Sequence, residues 1–233
     1  MIAATGQFIG WHAHPLQNIP RKCALSPALA TLVFNVYTVY MNPESTGTRI
    51  ATAARSLLDA EGVDAVTMRR IAAAVGITAM AVYRHYADRD ALLNALAETG
   101  FAELAGRLAH VKLKGDLLAR MHKILDANLD FALQAPRLFE LMFLRPRRGA
   151  RQFPQDFTAG KSPTANVFAE LMQEGIRGGL FQHVDVYEVA FESGALLQGL
   201  VMLYLGERMA VSPAEFRRIC HRALERYING LRA

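Results

Sequence analysis

From Arg49 onward, apolar residues recur at helical spacing. Ile50, Ala53, Ala54, Leu57 and Leu58 stand at i, i+3, i+4, i+7 and i+8, the stripe of an amphipathic helix, and Gly62 follows as a helix-ending residue. Thr67 is placed to cap a second helix, MRRIAAAV, which Gly76 stops. Thr78 caps a third that runs to about Tyr86. Asp88 caps a fourth, with Leu92, Leu93, Leu96, Leu104 and Leu108 on its apolar side.

A looser HVKLKG segment leads into a long helix from about Asp116 to Gln134, and Pro136 suits the first turn of a short helix, PRLFELMFL. RPRRGARQFPQDFTAGKSP, rich in Pro, Gly and charge, reads as a mobile loop. Pro163 or Thr164 then starts a helix ending near Gly178–Gly179. Two more helices follow, at roughly Asp185–Met209 and Ser212–Leu231. The last opens with a capping serine, proline at the first helical position (Pro213) and glutamate at the third (Glu215). No strand-rich region, repeat or low-complexity tract interrupts this pattern. It predicts an all-α chain with three divisions: an N-terminal extension (1–45), a small helical unit with a bridging helix (46–108), and a larger helical domain (109–233).

Composition adds limits. With 233 residues, 52% of them hydrophobic, the chain can bury a real core. A formal net charge of +5 permits an anionic partner without naming one. Cys23 and Cys220 are too few for a disulfide framework or a zinc site, which favours a reducing compartment. Arg21 and Lys22 precede an apolar run over residues 23–41 that reads three ways. A signal peptide is disfavoured by the late charged pair and the lack of a small-residue cleavage site. A membrane helix is nearly long enough, but Pro27 and clustered β-branched residues oppose it. The preferred reading is a start-site artefact or loosely ordered extension, because Met41 opens an ordinary polar leader into the first helix. Cytoplasmic location without stable membrane association is the resulting expectation.

The third helix carries the most specific chemistry. At 100° per residue, Ala79, Val82 and Tyr86 fall on one face, Met80, Ala81 and Arg84 on the opposite crest, and Tyr83 and His85 on the flanks. Such a helix suits a DNA major groove: the crest meets base edges while flanking donors reach phosphates. Val75-Gly76-Ile77-Thr78 is a short turn between two short helices, a helix-turn-helix signature. Between Thr67 and Tyr86 the charged residues are Arg69, Arg70 and Arg84, so positive charge is local. A solvated helix pair in an ordinary bundle would show the same spacing.

TRIATAARSLLDAEGVDAVTMRRIAAAVGITAMAVYRHYADRDALLNAL, about 50 residues, closely resembles the N-terminal domain of TetR-type transcriptional regulators. The resemblance implies DNA binding. It makes Thr67 and Thr78 phosphate-contacting caps, Met80, Ala81 and Arg84 base-facing positions, and Tyr83 and His85 backbone contacts. Arg89 stands where the family usually has a phosphate-contacting lysine, and Tyr86 where it has phenylalanine. Met80 and Ala81 offer no strong base hydrogen bonds, so Arg84 or Arg69 is the candidate for pairing with guanine.

LDFALQAPRLFELMF and GALLQGLVMLYLGERM resemble, more weakly, one C-terminal subtype of the same family, with Gln198-Gly199-Leu200 in place of a His-Gly-Leu. This implies a homodimer through the last two long helices, and the small stripe Ala195, Gly199, Met202 and Gly206 allows close approach. It also implies an effector pocket for an apolar or aromatic small molecule. Candidate lining residues are Met121, Leu125, Phe131, Leu138, Phe139, Met142, Phe143, Phe168, Met172 and Phe181, with His122, Asp126 and Gln198 as polar handles. A stripe of Met and Phe is more often plain core. No phosphate loop, CxxC, HExxH or GxSxG occurs and the histidines are scattered, so neither catalysis, a metal nor a cofactor is expected. A repressor binding a palindromic duplex is the leading expectation. A small-molecule-binding or interaction module with a non-functional helix-turn-helix is the alternative.

Overall fold

The computed structural model describes residues 45–111 and 115–233. The apolar run over residues 23–41 therefore lies outside the described residues. The described helices are α1 (Thr46–Glu61), α2 (Met68–Val75), α3 (Ala79–Tyr83), α4 (Arg89–Ala109), α5 (Leu117–Gln134), α6 (Pro136–Phe143), α7 (Gln155–Thr158), α8 (Pro163–Arg177), α9 (Val186–Leu205) and α10 (Pro213–Asn229). A 3-10 turn, Val63–Ala65, joins α1 to α2. Among these residues extended chain pairs only at an isolated antiparallel bridge between Phe181 and Arg232, so the class is all-α.

Helix starts follow from side-chain capping. Thr67 Oγ1 accepts from the Arg70 N–H (3.3 Å), Thr78 Oγ1 from Ala81 (3.2 Å), Asp88 Oδ1 from Ala91 (2.7 Å) and Ser212 Oγ from Glu215 (3.2 Å). Each satisfies an amide that the helix itself leaves open, at about 1 kcal/mol apiece. Gly76 ends α2 in the left-handed region (φ 74°), where a Cβ would be strained.

Three boundaries differ from the sequence expectation. α3 stops at Tyr83 rather than Tyr86, because Arg84 and His85 turn the chain and Asp88 goes extended (φ −153°) to cap α4. α9 stops at Leu205 rather than Met209, with Glu207 at φ 56° just beyond it. The presumed mobile loop before α8 is folded. Arg151 binds the Lys161 carbonyl (2.7 Å) and the Glu98 carboxylate, Lys161 pairs with Asp156 (2.9 Å), and α7 forms inside it.

α4 is the element that the others share. It packs on α1, α5, α6 and α8. Leu92, Leu93, Leu96, Ala97, Gly100, Phe101, Leu104 and Leu108 are all buried along it. Gly100 permits the close α4–α6 approach: a Cβ there would lie 2.5 Å from Met142 Sδ. Gly175 on α8 does the same for Phe181, whose ring would stand 2.3 Å from an added Cβ, with Leu117 Cδ2 at 2.7 Å. A ring wedged in a core cannot retreat as a methionine tip can. Gly175→Ala is therefore expected to lower the unfolding free energy by about 1–3 kcal/mol. Gly106→Ala, on α4 with nothing within 4 Å of the new Cβ, should raise it by roughly 0.5–1 kcal/mol. Urea unfolding of the two variants checks this, and equal effects would refute the packing account.

Candidate nucleic-acid interface and effector cavity

α2 buries Met68, Ile71, Ala72 and Val75 and packs on α1, which buries Ile50, Ala54 and Leu58. That fixes α3, which inserts Val82 and leans Ala79 and Tyr86 against the same core. The opposite side of α3 is open. Met80 is 67% and Tyr83 46% exposed, Arg84 and His85 are exposed, and Ala81 is half-buried. Thr67 and Thr78 hold the starts of α2 and α3 at the edge of this face.

The charge is distributed less simply than the sequence suggests. Among the described residues, Arg69 and Arg84 have no side-chain partner. Arg70 does: its guanidinium forks onto the Glu61 carboxylate at 2.6 and 2.8 Å. The hydrogen bond from Arg70 holds the Glu61 carboxyl below its usual range. Two arginines rather than three are therefore open on this face. Arg89 also has partners within the chain. It does not stand free at the start of α4. Its Nε donates to the Val66 carbonyl (2.7 Å) and its Nη2 to Val63 (2.6 Å), so it ties the 3-10 turn to α4.

A cavity of about 310 Å³ lies within the larger helical region, walled by α4, α5, α6, α8, α9, α10 and the folded loop. Of the candidate lining residues, Met121, Leu125, Phe139, Met142, Phe143 and Phe168 reach it, as does Gln198. Met172 and His122 do not, and neither do Asp126, Phe131, Leu138 and Phe181. Met172 is wholly buried in the surrounding core, and the His122 ring turns toward α10. Sequence reasoning missed Phe101, Asn128, Phe157, Phe191, Cys220 and three arginines, Arg145, Arg147 and Arg151. The loop did carry a signal: Phe153 and Phe157 stand in an otherwise polar stretch. Phe153 stacks on Phe191 of α9 (4.3 Å between centroids) and Phe157 meets it edge-on (5.4 Å). These rings pin the loop over the cavity.

The Cys220 thiol lines the cavity. Burial pushes the Cys220 thiol up to about 11, so it stays protonated at neutral pH and is a poor nucleophile. Among the described residues no three His, Cys, Asp or Glu side chains are placed to hold a metal.

Residues 50–96 match the bacterial regulatory proteins of the tetR family, and residues 121–227 match the tetracyclin repressor-like C-terminal domain. The chain belongs to the TetR family. It is 34% identical over 111 residues to the nucleoid occlusion factor SlmA of Pasteurella multocida, covering 44% of this chain and 56% of that one. It is 34% identical over 90 residues to the HTH-type transcriptional repressor Rv1474c of Mycobacterium tuberculosis, covering 39% and 46%. The matched stretch thus spans about half the length of these curated relatives. A Rhodococcus protein of unknown function superposes with a TM-score of 0.67 at 26% identity, covering 82% of this chain and 99% of that one. A tetR family regulator from Shewanella shares the fold at a TM-score of 0.59 and 18% identity, covering 82% and 100%.

In this TetR-family chain two of the expected polar handles form a separate network between α5 and α10. Asp126 Oδ1 meets His221 Nε2 (2.8 Å), His221 Nδ1 meets His122 Nδ1 (2.8 Å), and His122 Nε2 faces Glu225 (3.4 Å). Arg217 closes the far end on Asp126 (3.6 Å) and Asp130. Burial, and then the neighbouring His221, hold the His122 pKa below its ordinary value of 6.5. The folded state therefore binds the His122 proton less readily than the unfolded chain does. Its contribution to stability is complete above about 6.5 and is lost as pH falls toward the depressed folded value. His122→Gln should flatten the loss of thermal midpoint between about pH 7 and 5 relative to the wild type. An unchanged slope would show that other groups carry it.

Proposed function

We propose that this chain is a homodimeric, ligand-responsive transcriptional regulator that binds a palindromic duplex, with repression as its mode of action. Residues 46–108 read DNA, and residues 109–233 hold the effector and pair with a second copy. The observation that carries the reading is the open face of α3, where Met80, Tyr83, Arg84 and His85 stand clear of the core between two threonine-capped helix starts. Met80, Ala81 and Arg84 would face base edges, with Arg84 the side chain able to pair bidentately with guanine. Thr67, Arg69, Thr78, Tyr83 and His85 would hold phosphates. Arg89 keeps Nη1 for a phosphate while its other nitrogens brace the turn. The repressor named among the relatives supports this choice of mechanism.

Pairing with a second copy rests on α9. It is the described helix long and apolar enough to cross a membrane. It packs on α8 and α10, yet Leu196, Met202, Leu203 and Leu205 are exposed on it, Met202 by 51%. A Cβ at Gly199 would meet nothing within 4 Å, so this face has room for a close partner helix. Contact through α9 and α10 of two copies covers the face and sets two recognition helices about 34–36 Å apart, one turn of DNA. An apolar or aromatic effector in the cavity would favour another spacing through α4. Such a regulator works in the cytoplasm, without a cofactor and without catalysis.

Selection from a random duplex pool should return a palindrome. Binding should weaken as salt rises, with a slope near −0.9 per neutralised phosphate in log–log form. Arg84→Ala should cost about 1–3 kcal/mol at one position per half-site, while Tyr83→Phe and His85→Ala weaken all sequences alike. A flat salt response would sink the DNA reading and favour a module that only binds small molecules. Sequence-blind effects of all three variants would sink the division of roles on α3.

A further inference from the structure

The cavity wall has an electrostatic property that an apolar effector does not explain. Three arginines line it, Arg145, Arg147 and Arg151, and no aspartate or glutamate does. Arg145 is neutralised outside the cavity by Glu140 (2.9 Å), and Arg151 by Glu98. Arg147 is not. Its Nη1 reaches Asn94 Oδ1 at 3.3 Å and its Nη2 the Met142 carbonyl at 3.3 Å, both neutral and both long for N–H···O bonds. Its Nε is buried without a partner. Burial accordingly pushes the guanidinium below its ordinary range. A guanidinium stays charged under any such shift, so a cation with no ion-paired carboxylate, offset only by the charge of Glu98 that Arg151 already holds, remains in a largely apolar site. Phe101 lies between it and Arg151, its ring centroid 5.9 and 4.7 Å from the two guanidinium carbons.

We infer that the effector is a small amphipathic carboxylate whose anionic head pairs with Arg147 and whose aromatic body lies among Phe139, Phe143 and Phe168. The inference rests on the reading of residues 109–233 as an effector domain. The planar fork of an arginine matches the two oxygens of a carboxylate. Size limits the body. About 310 Å³ is the low end for small-ligand sites and holds roughly ten water-sized groups, which suits one ring and a short chain. Arg147 also lines a second cavity, of about 510 Å³, together with Arg89, Asp90 and Asn94 at the start of α4. An anion that draws Arg147 from Asn94 therefore changes a contact on α4 beside the Arg89 brace.

Calorimetric titration of the full chain with 3-phenylpropanoate, 3-phenylpropan-1-ol and 3-phenylpropylamine separates head-group charge from body. The acid should bind at least about tenfold more tightly than the alcohol, and the amine least. Arg147→Gln should remove that preference while alcohol affinity stays within about threefold, and Arg147→Lys should keep part of it. Equal or tighter binding of the alcohol, a preference that survives in Arg147→Gln, or no binding by any of the three at about 10 mM would overturn the inference. Should Arg147→Gln fail to fold, the ranking on the wild type and on Arg147→Lys decides. Duplex binding of the ligand-free wild type, measured in parallel, fails or holds independently of that ranking. It therefore tests the regulator reading apart from the ligand class.

Discussion

Burial of α4 on several sides at once is the constraint on which the rest depends. An ordinary surface helix buries one stripe. This one buries Leu92, Leu93, Leu96, Ala97, Gly100, Phe101, Leu104 and Leu108 and packs on α1, α5, α6 and α8, and Gly100 lets α6 come close enough to finish the packing. α1 reaches the same cluster: it packs on α4 and on α6, and the Asp59 carbonyl accepts from Arg137 (3.1 Å). The helix-turn-helix is therefore not hung on a flexible tether. One continuous buried cluster runs from Ile50 to Ile228. Interiors packed this densely transmit displacement rather than absorb it.

The charges show which surfaces are structural and which are open. Arg70 is held by Glu61, Arg55 by Asp59 and Glu103, and Arg120 by Glu174. These exposed pairs add little stability each, but they remove charge that would otherwise seek a partner. Arg69, Arg84 and Arg147 are among the described arginines without a carboxylate partner: the first two stand on the open face around α3 and the third against the cavity. Net charge at the level of the whole chain, +5, could not separate these cases.

The helical order, the capping residues and the facing of α3 were legible in the sequence because they are local. A threonine three residues before an amide, or a side chain 100° from its neighbour, needs no tertiary information. The early end of α3 was not legible, because it follows from Asp88 being drawn into the cap of α4. The pairing of Arg70 with Glu61 crosses the turn between α1 and α2, and the bracing of the Val63 and Val66 carbonyls by Arg89 spans more than 20 residues. No periodicity encodes either. The cavity was half legible for the same reason. Met and Phe positions on α5, α6 and α8 follow from amphipathic spacing. His122 looked equally suitable, yet its partner, His221, lies 99 residues away on α10. The loop read as mobile because its composition is polar, while four of its side chains find anchors elsewhere: Phe153 and Phe157 on Phe191, Arg151 on Glu98, and Arg147 on Asn94.

These anchors bear on how small a signal the fold needs. The loop touches α9 at Phe191 through its aromatic rings and α4 through Arg147 and Arg151, so one segment contacts both the helix that carries the proposed dimer face and the bridging helix. A ligand that fills the cavity must meet Arg147 and the rings together. To act as an effector it needs only to favour one arrangement of α4 over another by about 1–3 kcal/mol. One charge-assisted hydrogen bond is of that size. On the proposed reading, a single guanidinium with weak neutral partners would be enough to couple occupancy to the position of α4. On the same reading, an apolar wall that contacts the ligand equally in both arrangements would add affinity without distinguishing them.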